Sequence, residues 1–160
     1  MNQEAFDTHA LELKLKGFTI LPDLLSPKEC KVGREELEKR HPEREHGGLE
    51  WLFNKARIFE RLYQLPDLLR LIRHFVGPDA LLSAEYGSVV MPGEGGRGLH
   101  SDGGITGHNR AASAAPMDEE RRVTSHALAV NVIFCLSEFT ETNGATELVP
   151  GSHKYPYFDI

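Results

Sequence analysis

The sequence predicts an α+β domain in which helices pack outside a β-sandwich or barrel. Apolar residues recur at helical spacing up to about residue 79, whereas from Ala80 onward they follow the patterns of strands. A chain of 160 residues has the length of one domain, and helices followed by antiparallel-looking strands are typical of the α+β class. We therefore predict a single domain over residues 1–160, with helical support in 1–79 and a β-rich part in 80–160.

The helices of the first half are predicted from their end signals. Gly17 ends a short N-terminal helix, and Phe18–Leu21 is predicted to be a brief strand. Ser26 then provides an N-cap, a proline follows at the first helical position, and Glu29 can close a capping box. These signals predict a largely solvated helix over Pro27–Arg40.

A second amphipathic stretch starts at Trp51, and Pro66 begins a further helix that stops at Gly77-Pro78. The aromatic and leucine residues of these helices are predicted to form the core. The pattern then changes, because residues 81–91 are rich in Val, Tyr and Leu and end at Pro92-Gly93, which predicts a strand.

The remainder is predicted to alternate between loops and strands. Residues 93–122 form a long loop of small residues, a kind of segment that is usually functional or disordered in a compact domain. Residues 123–136 are strand-like, and a polar turn over 137–144 separates them from a strand over 145–149. Pro150-Gly151 marks a final turn.

Composition and charge exclude several classes of protein. Lys and Arg total 18 against 24 Asp and Glu, so the net charge of −6 opposes the positive field that nucleic acids and anionic membranes select. No apolar run approaches the roughly 20 residues of a spanning helix, and the N-terminal residues contain no signal-peptide centre. We expect a cytoplasmic protein that binds neither nucleic acid nor membrane. Its two cysteines, Cys30 and Cys135, are expected to be reduced thiols.

A candidate metal site lies at His100-Ser101-Asp102. In an extended segment the side chains of residues i and i+2 point to the same side, so His100 and Asp102 can converge on one point. An imidazole nitrogen and a carboxylate oxygen are two of the three ligands in the two-histidine, one-carboxylate arrangement that holds non-haem Fe(II). The surrounding glycines leave room for a substrate. The alternative is a surface loop with incidental polar residues.

Three segments of the chain resemble one protein family. LHSDGG, the block VNVIFCLSEFTETNGATELVPGSHK and the N-terminal GFTILPDLLSPKEC are similar to the phytanoyl-CoA dioxygenase family of Fe(II)- and 2-oxoglutarate-dependent oxygenases. The resemblance implies an incomplete double-stranded β-helix (jelly-roll, cupin-like) with flanking N-terminal helices. It also implies Fe(II), 2-oxoglutarate as co-substrate, O2 and a small-molecule substrate that is hydroxylated, with succinate and CO2 as co-products. His100 and Asp102 match the first two metal ligands of the family.

The same resemblance places the remaining ligands elsewhere. In family members the distal ligand histidine and the arginine that binds 2-oxoglutarate follow later in the chain, so we expect both beyond Ile160. His153, His108 and His126 do not match a ligand position. We therefore expect this chain to be impaired as an isolated dioxygenase. The alternative is a non-catalytic jelly-roll module that binds a small ligand; zinc and serine hydrolases are disfavoured because HExxH, HxxEH and GxSxG are absent.

Overall fold

The computed structural model describes residues 1–40, 49–93, 98–100 and 127–154. These residues form a series of helices, one antiparallel strand pair and segments without an assigned helix or strand. In chain order, the elements are α1 (Gln3–Lys16), α2 (Pro27–Arg40), β1 (Leu49–Glu50), a 3-10 helix (Leu52–Asn54), α3 (Arg57–Leu62), α4 (Pro66–Val76), β2 (Tyr86–Gly87) and a second 3-10 helix (Ser152–Lys154). No helix in these residues is both long enough and apolar enough to cross a bilayer.

Local signals set the ends of the first two helices, as predicted. The Asn2 side chain caps α1, and Gly17 ends it with a left-handed φ of 86°. At the start of α2, the backbone N–H and the hydroxyl of Ser26 both donate to the Glu29 carboxylate, while the Glu29 N–H donates to the hydroxyl of Ser26. This is the predicted capping box, and the predicted bounds Pro27–Arg40 are confirmed.

The later helices also follow their predicted signals. α4 begins at Pro66 and ends immediately before Gly77. The amphipathic stretch predicted from Trp51 is divided into the first 3-10 helix and α3. Trp51 itself has a left-handed φ of 57°, so the backbone turns sharply between β1 and the 3-10 helix.

Among the described residues, fewer strands are paired than the sequence predicts. Within the predicted strand over residues 81–91, only Tyr86–Gly87 pairs, antiparallel to Leu49–Glu50. The brief strand predicted at Phe18–Leu21 is wrong, because these residues are not in a ladder. The segments 127–136 and 145–149 likewise have no assigned strand. Strand propensity makes a segment extended, but a ladder also needs backbone groups on a neighbouring segment.

The main core lies between α2, α3 and the β1–β2 pair. Its buried side chains are Leu37, Leu49, Leu52, Phe59 and Leu62. From the second half of the chain, Phe134 and Leu136 pack against this cluster. Full burial of a Leu or Phe side chain contributes about 1.5–3 kcal/mol, and the partly buried Phe134 and Leu136 connect the second half of the chain to this cluster. Beside their helices, the described residues hold one short strand pair, so the α+β class and the double-stranded β-helix both stay predictions.

Candidate functional site

His100 is the described member of the predicted metal-binding pair. Its side chain is exposed, and its Nδ1 lies 2.9 Å from the carbonyl oxygen of Gly98. Since a carbonyl oxygen only accepts hydrogen bonds, Nδ1 carries the proton, and in the neutral ring Nε2 then carries the lone pair. Metal-binding histidines use this arrangement, in which the N–H of one ring nitrogen is held by a carbonyl and the other nitrogen binds the metal.

The other residues of the predicted motif lie outside the described residues. Asp102 is among them. His108 and His126 also lie outside. Within the described ranges, no group of three His, Cys, Asp or Glu side chains is arranged to hold a metal ion.

The Asn143-Gly144 turn contacts Val90, in the segment that precedes His100. The Asn143 side chain closes the turn, because its Oδ1 accepts from the Thr140 N–H at 2.9 Å and its Nδ2 donates to the Glu138 carbonyl at 2.7 Å. Gly144 has a φ of 78°, and a Cβ built on it would lie 3.0 Å from Cγ1 of Val90. The Asn143-Gly144 turn belongs to the block that resembles the family. It therefore contacts the segment that leads to the predicted metal ligands.

Glu85 joins this same segment to the helical layer. Its carboxylate accepts from the Phe53 N–H at 2.9 Å and from the hydroxyl of Tyr63. The pKa of Tyr63 is raised, first by burial, then by this hydrogen bond and by the charge of Glu85. Sequence analysis did not single out Glu85; the available signal was a lone carboxylate in the otherwise apolar LLSAEYG.

His153 lies at the C-terminal end of α1. Its Nε2 is 3.3 Å from the Lys14 carbonyl oxygen, and the Gly151 N–H donates to the Lys16 carbonyl at 2.6 Å. The ring also rests on Gly17, where a built Cβ would lie 2.7 Å from the ring carbon Cγ. The PGSH loop thus satisfies carbonyls that the helix leaves without an internal partner. Because α1 and this loop are far apart in sequence, no local pattern predicted the contact.

Comparison with known proteins shows one family. A family model described as phytanoyl-CoA dioxygenase (PhyH) matches residues 13–159. Among curated relatives, dioxygenase af480 of Aspergillus fumigatus is 29% identical over 174 aligned positions, which cover 97% of this chain and 50% of the relative. Dioxygenase cdmD of Talaromyces verruculosus is 41% identical over 66 residues, which are 41% of this chain and 19% of the relative.

A third relative, dioxygenase trt7 of Aspergillus terreus, is 36% identical over 86 residues, or 48% of this chain and 27% of the relative. The chain therefore spans about half the length of the first of these relatives, and the matches to the other two are shorter. No solved structure gives a significant match. Because the family model covers residues 13–159, nearly all of the sequence, the chain belongs to the phytanoyl-CoA dioxygenase family.

Proposed function

We propose that the chain acts as an Fe(II)- and 2-oxoglutarate-dependent dioxygenase that hydroxylates a small molecule, with His100 and Asp102 as two of the metal ligands. The observation that carries the proposal is the hydrogen bond from His100 Nδ1 to the Gly98 carbonyl, in the segment that matches the family's first ligand. The family supports it, and the three relatives are all named dioxygenases. We also propose the family's double-stranded β-helix as the complete fold around this site.

The donor set suits Fe(II). The Nε2 lone pair of His100 is a neutral donor, and the carboxylate of Asp102 is an anionic oxygen donor, a combination that non-haem Fe(II) sites use. When bound, Fe(II) with 2-oxoglutarate and O2 supplies the oxidative chemistry of hydroxylation. The Gly98 carbonyl sets the orientation of the His100 ring, which is how an outer hydrogen bond supports a metal ligand.

Contacts with the rest of the fold support the segment that precedes His100. The β1–β2 pair and Glu85 attach the segment over residues 85–93 to the helical core, and Gly144 contacts Val90 further along it. These contacts come from elements on both sides of the site in sequence. The segment before His100 is therefore supported by the fold rather than by its own local structure.

Binding of Fe(II) tests the assignment of the ligands. We expect His100→Ala and Asp102→Ala each to lower the affinity for Fe(II), measured by anaerobic equilibrium dialysis, by at least about tenfold, the smallest cost usually seen for a residue that supports a metal site. His153→Ala is the matched control, because its ring lies against α1; we expect it to bind Fe(II) as the unchanged chain does. Circular dichroism establishes that each variant is folded.

Two results would contradict the proposal. Equal Fe(II) affinity in His100→Ala and the unchanged chain would refute His100 as a ligand. No Fe(II) binding by the unchanged chain, together with no metal in elemental analysis, would favour the alternative of a non-catalytic module that binds a small ligand.

We further propose that these 160 residues by themselves turn over poorly. The resemblance matches two metal ligands, His100 and Asp102, to these residues and matches no third ligand or 2-oxoglutarate arginine among them; a bidentate contact between arginine and carboxylate is strong and orienting. Succinate formation with Fe(II), 2-oxoglutarate and O2 measures this directly. Robust turnover by this chain would refute the impairment and leave the assignment of His100 and Asp102 intact.

A further inference from the structure

An open groove lies between the start of α2 and α3, which are in contact. Its volume is about 520 Å³, within the roughly 300–1,000 Å³ that small-molecule sites occupy. Lys28 and Val32 line this α2–α3 groove from one helix, and Arg57, Ile58 and Arg61 line it from the other. Residues four apart share one face of a helix, so each helix turns a face with both charged and apolar side chains toward the groove.

Three cationic side chains line the groove with a single carboxylate. That carboxylate belongs to Glu29 and is already engaged, because one oxygen accepts from the N–H and hydroxyl of Ser26 and the other pairs with Arg61. Lys28 and Arg57 are exposed and have no ion-pair partner in the part of the chain that the structure describes. The groove is therefore positively charged, although the whole chain carries a net charge of −6.

The ion pair with Glu29 holds Arg61 at the groove. The capping box fixes the Glu29 carboxylate at the start of α2, and the Glu29 side chain is only 17% exposed. A guanidinium has five N–H donors in a planar fork, and this ion pair engages Nη1, so Arg61 keeps further donors for a ligand. Such a fork matches the oxygens of phosphate and carboxylate groups, whereas a lysine ammonium acts as a point charge.

Apolar side chains line the same groove. Val32 is 39% exposed, and Ile58 is partly buried against the main core. An apolar group placed against these two side chains would leave water, which is favourable. The groove therefore offers separate contacts to the two parts of an amphipathic anion, and we expect it to prefer such a ligand to an inorganic ion.

We propose that the α2–α3 groove binds a small organic phosphate, a phosphate monoester joined to an aryl or alkyl group. Such a phosphate carries about −1.5 to −2 charges at pH 7 and has three strong acceptor oxygens, which match the three cations of the groove. The phosphate oxygens contact Lys28, Arg57 and Arg61, and the apolar group lies against Val32 and Ile58.

The net charge of the chain favours a dissolved ligand over a membrane. A net charge of −6 repels an extended anionic surface, whereas a small molecule meets mainly the local charge of the groove. We therefore assign a dissolved phosphate monoester rather than a phospholipid headgroup. The groove shares no lining residue with the predicted metal site, so the proposal does not depend on the proposed oxygenase function.

Phenyl phosphate is the probe that tests the proposal. It is titrated at low ionic strength and neutral pH into the 15N-labelled chain, and binding is followed by two-dimensional NMR. We expect saturable shifts of the amide signals of residues 26–32 and 57–61. Phenyl sulfate has a similar shape but a single negative charge, and inorganic phosphate lacks the apolar group, so each should bind at least about threefold more weakly.

Charge variants locate the site. Lys28→Gln and Arg57→Gln each remove one positive charge from the groove without breaking an ion pair of the described fold. Each should weaken the binding of phenyl phosphate by about fivefold, the upper range for one ion pair at a partly exposed position. Lys39→Gln is the matched control, because it makes the same change of charge in the last turn of α2; it should bind as the unchanged chain does. Circular dichroism establishes that each variant is folded.

Several results would overturn the proposal. These are no binding of phenyl phosphate by the unchanged chain, equal affinities for phenyl phosphate and phenyl sulfate, or an equal loss of affinity in Lys39→Gln and the two groove variants. Vesicles that contain phosphatidic acid present a phosphate monoester on a membrane and should leave the chain unbound in a sedimentation assay. Sedimentation of the chain with these vesicles would overturn the assignment to a dissolved ligand.

Discussion

Replacement of Gly87 by alanine should destabilise the protein, although the change would ordinarily have the opposite effect. Gly87 lies in β2, where it pairs with Leu49, and it does not have a positive φ. At a position without backbone strain, Gly→Ala stabilises a protein by about 0.4–1 kcal/mol because the unfolded chain loses conformational freedom. The tertiary structure reverses this expectation.

The magnitude follows from the atoms that the new methyl group would meet. A Cβ on Gly87 would lie 2.8 Å from Cδ1 of Leu52 and closer still to Cδ2 of Leu37, whereas ordinary carbon contacts are about 3.5–4.0 Å. The two leucines are only 6% and 7% exposed, so neither can move into solvent. Overpacking of a core costs about 1–3 kcal/mol, and subtraction of the gain above, with the middle of each range taken, leaves a net loss of about 1.3 kcal/mol.

Urea unfolding followed by circular dichroism measures this loss, and thermal unfolding should show Tm lowered by roughly 2–8 °C. Gly98→Ala is the matched control, because a Cβ built there meets no atom of the described residues within 4 Å; its effect should stay within about 0.5 kcal/mol. If Gly87→Ala is as stable as the unchanged chain, or more stable, then the close approach of β2 to the core leucines is wrong.

Two further predictions concern Tyr63 and Asn143. In the folded state the pKa of Tyr63 is raised by burial, by its hydrogen bond to Glu85 and by the negative charge of Glu85. The folded state therefore favours the protonated phenol. This stabilisation is complete below about pH 10 and is lost as the pH rises further. The free energy of unfolding in urea should therefore fall more steeply above about pH 10 for the unchanged chain than for Tyr63→Phe, and parallel pH profiles would contradict the interaction. Asn143→Ala removes both side-chain hydrogen bonds of the turn and should lower the free energy of unfolding by about 1–2 kcal/mol. Asn143→Asp keeps the acceptor for the Thr140 N–H and should lose less; an equal loss would show that the donor to Glu138 carries the whole effect.

The helix ends were predictable because their determinants are local. The capping pair Ser26 and Glu29 is separated by three residues, so its hydrogen bonds depend on little beyond the helix that they cap. Gly17 likewise ends α1 through its own φ of 86°. Interactions that span three or four residues are present in any conformation that includes the helix, and sequence patterns describe them well.

The strands and the site supports were less predictable because their partners are distant in sequence. Residues 81–91 have the composition of a strand, yet only Tyr86–Gly87 finds a partner, and that partner is Leu49–Glu50. The alternation of side chains carries no information about which segment lies alongside. The same limit applies to His153, whose ring position against α1 depends on a contact across 139 residues.

The sequence by itself determined the helical first half, the ends of α1, α2 and α4, and membership of the phytanoyl-CoA dioxygenase family, which the family model confirms over residues 13–159. It also supplied the His100-Ser101-Asp102 motif as a prediction. Only the tertiary structure decided that α2 lies against the segment around Leu136 and that the His153 ring lies against α1. The physical reason is that residue type and spacing encode local hydrogen bonds, whereas contacts between remote segments depend on how the whole chain packs.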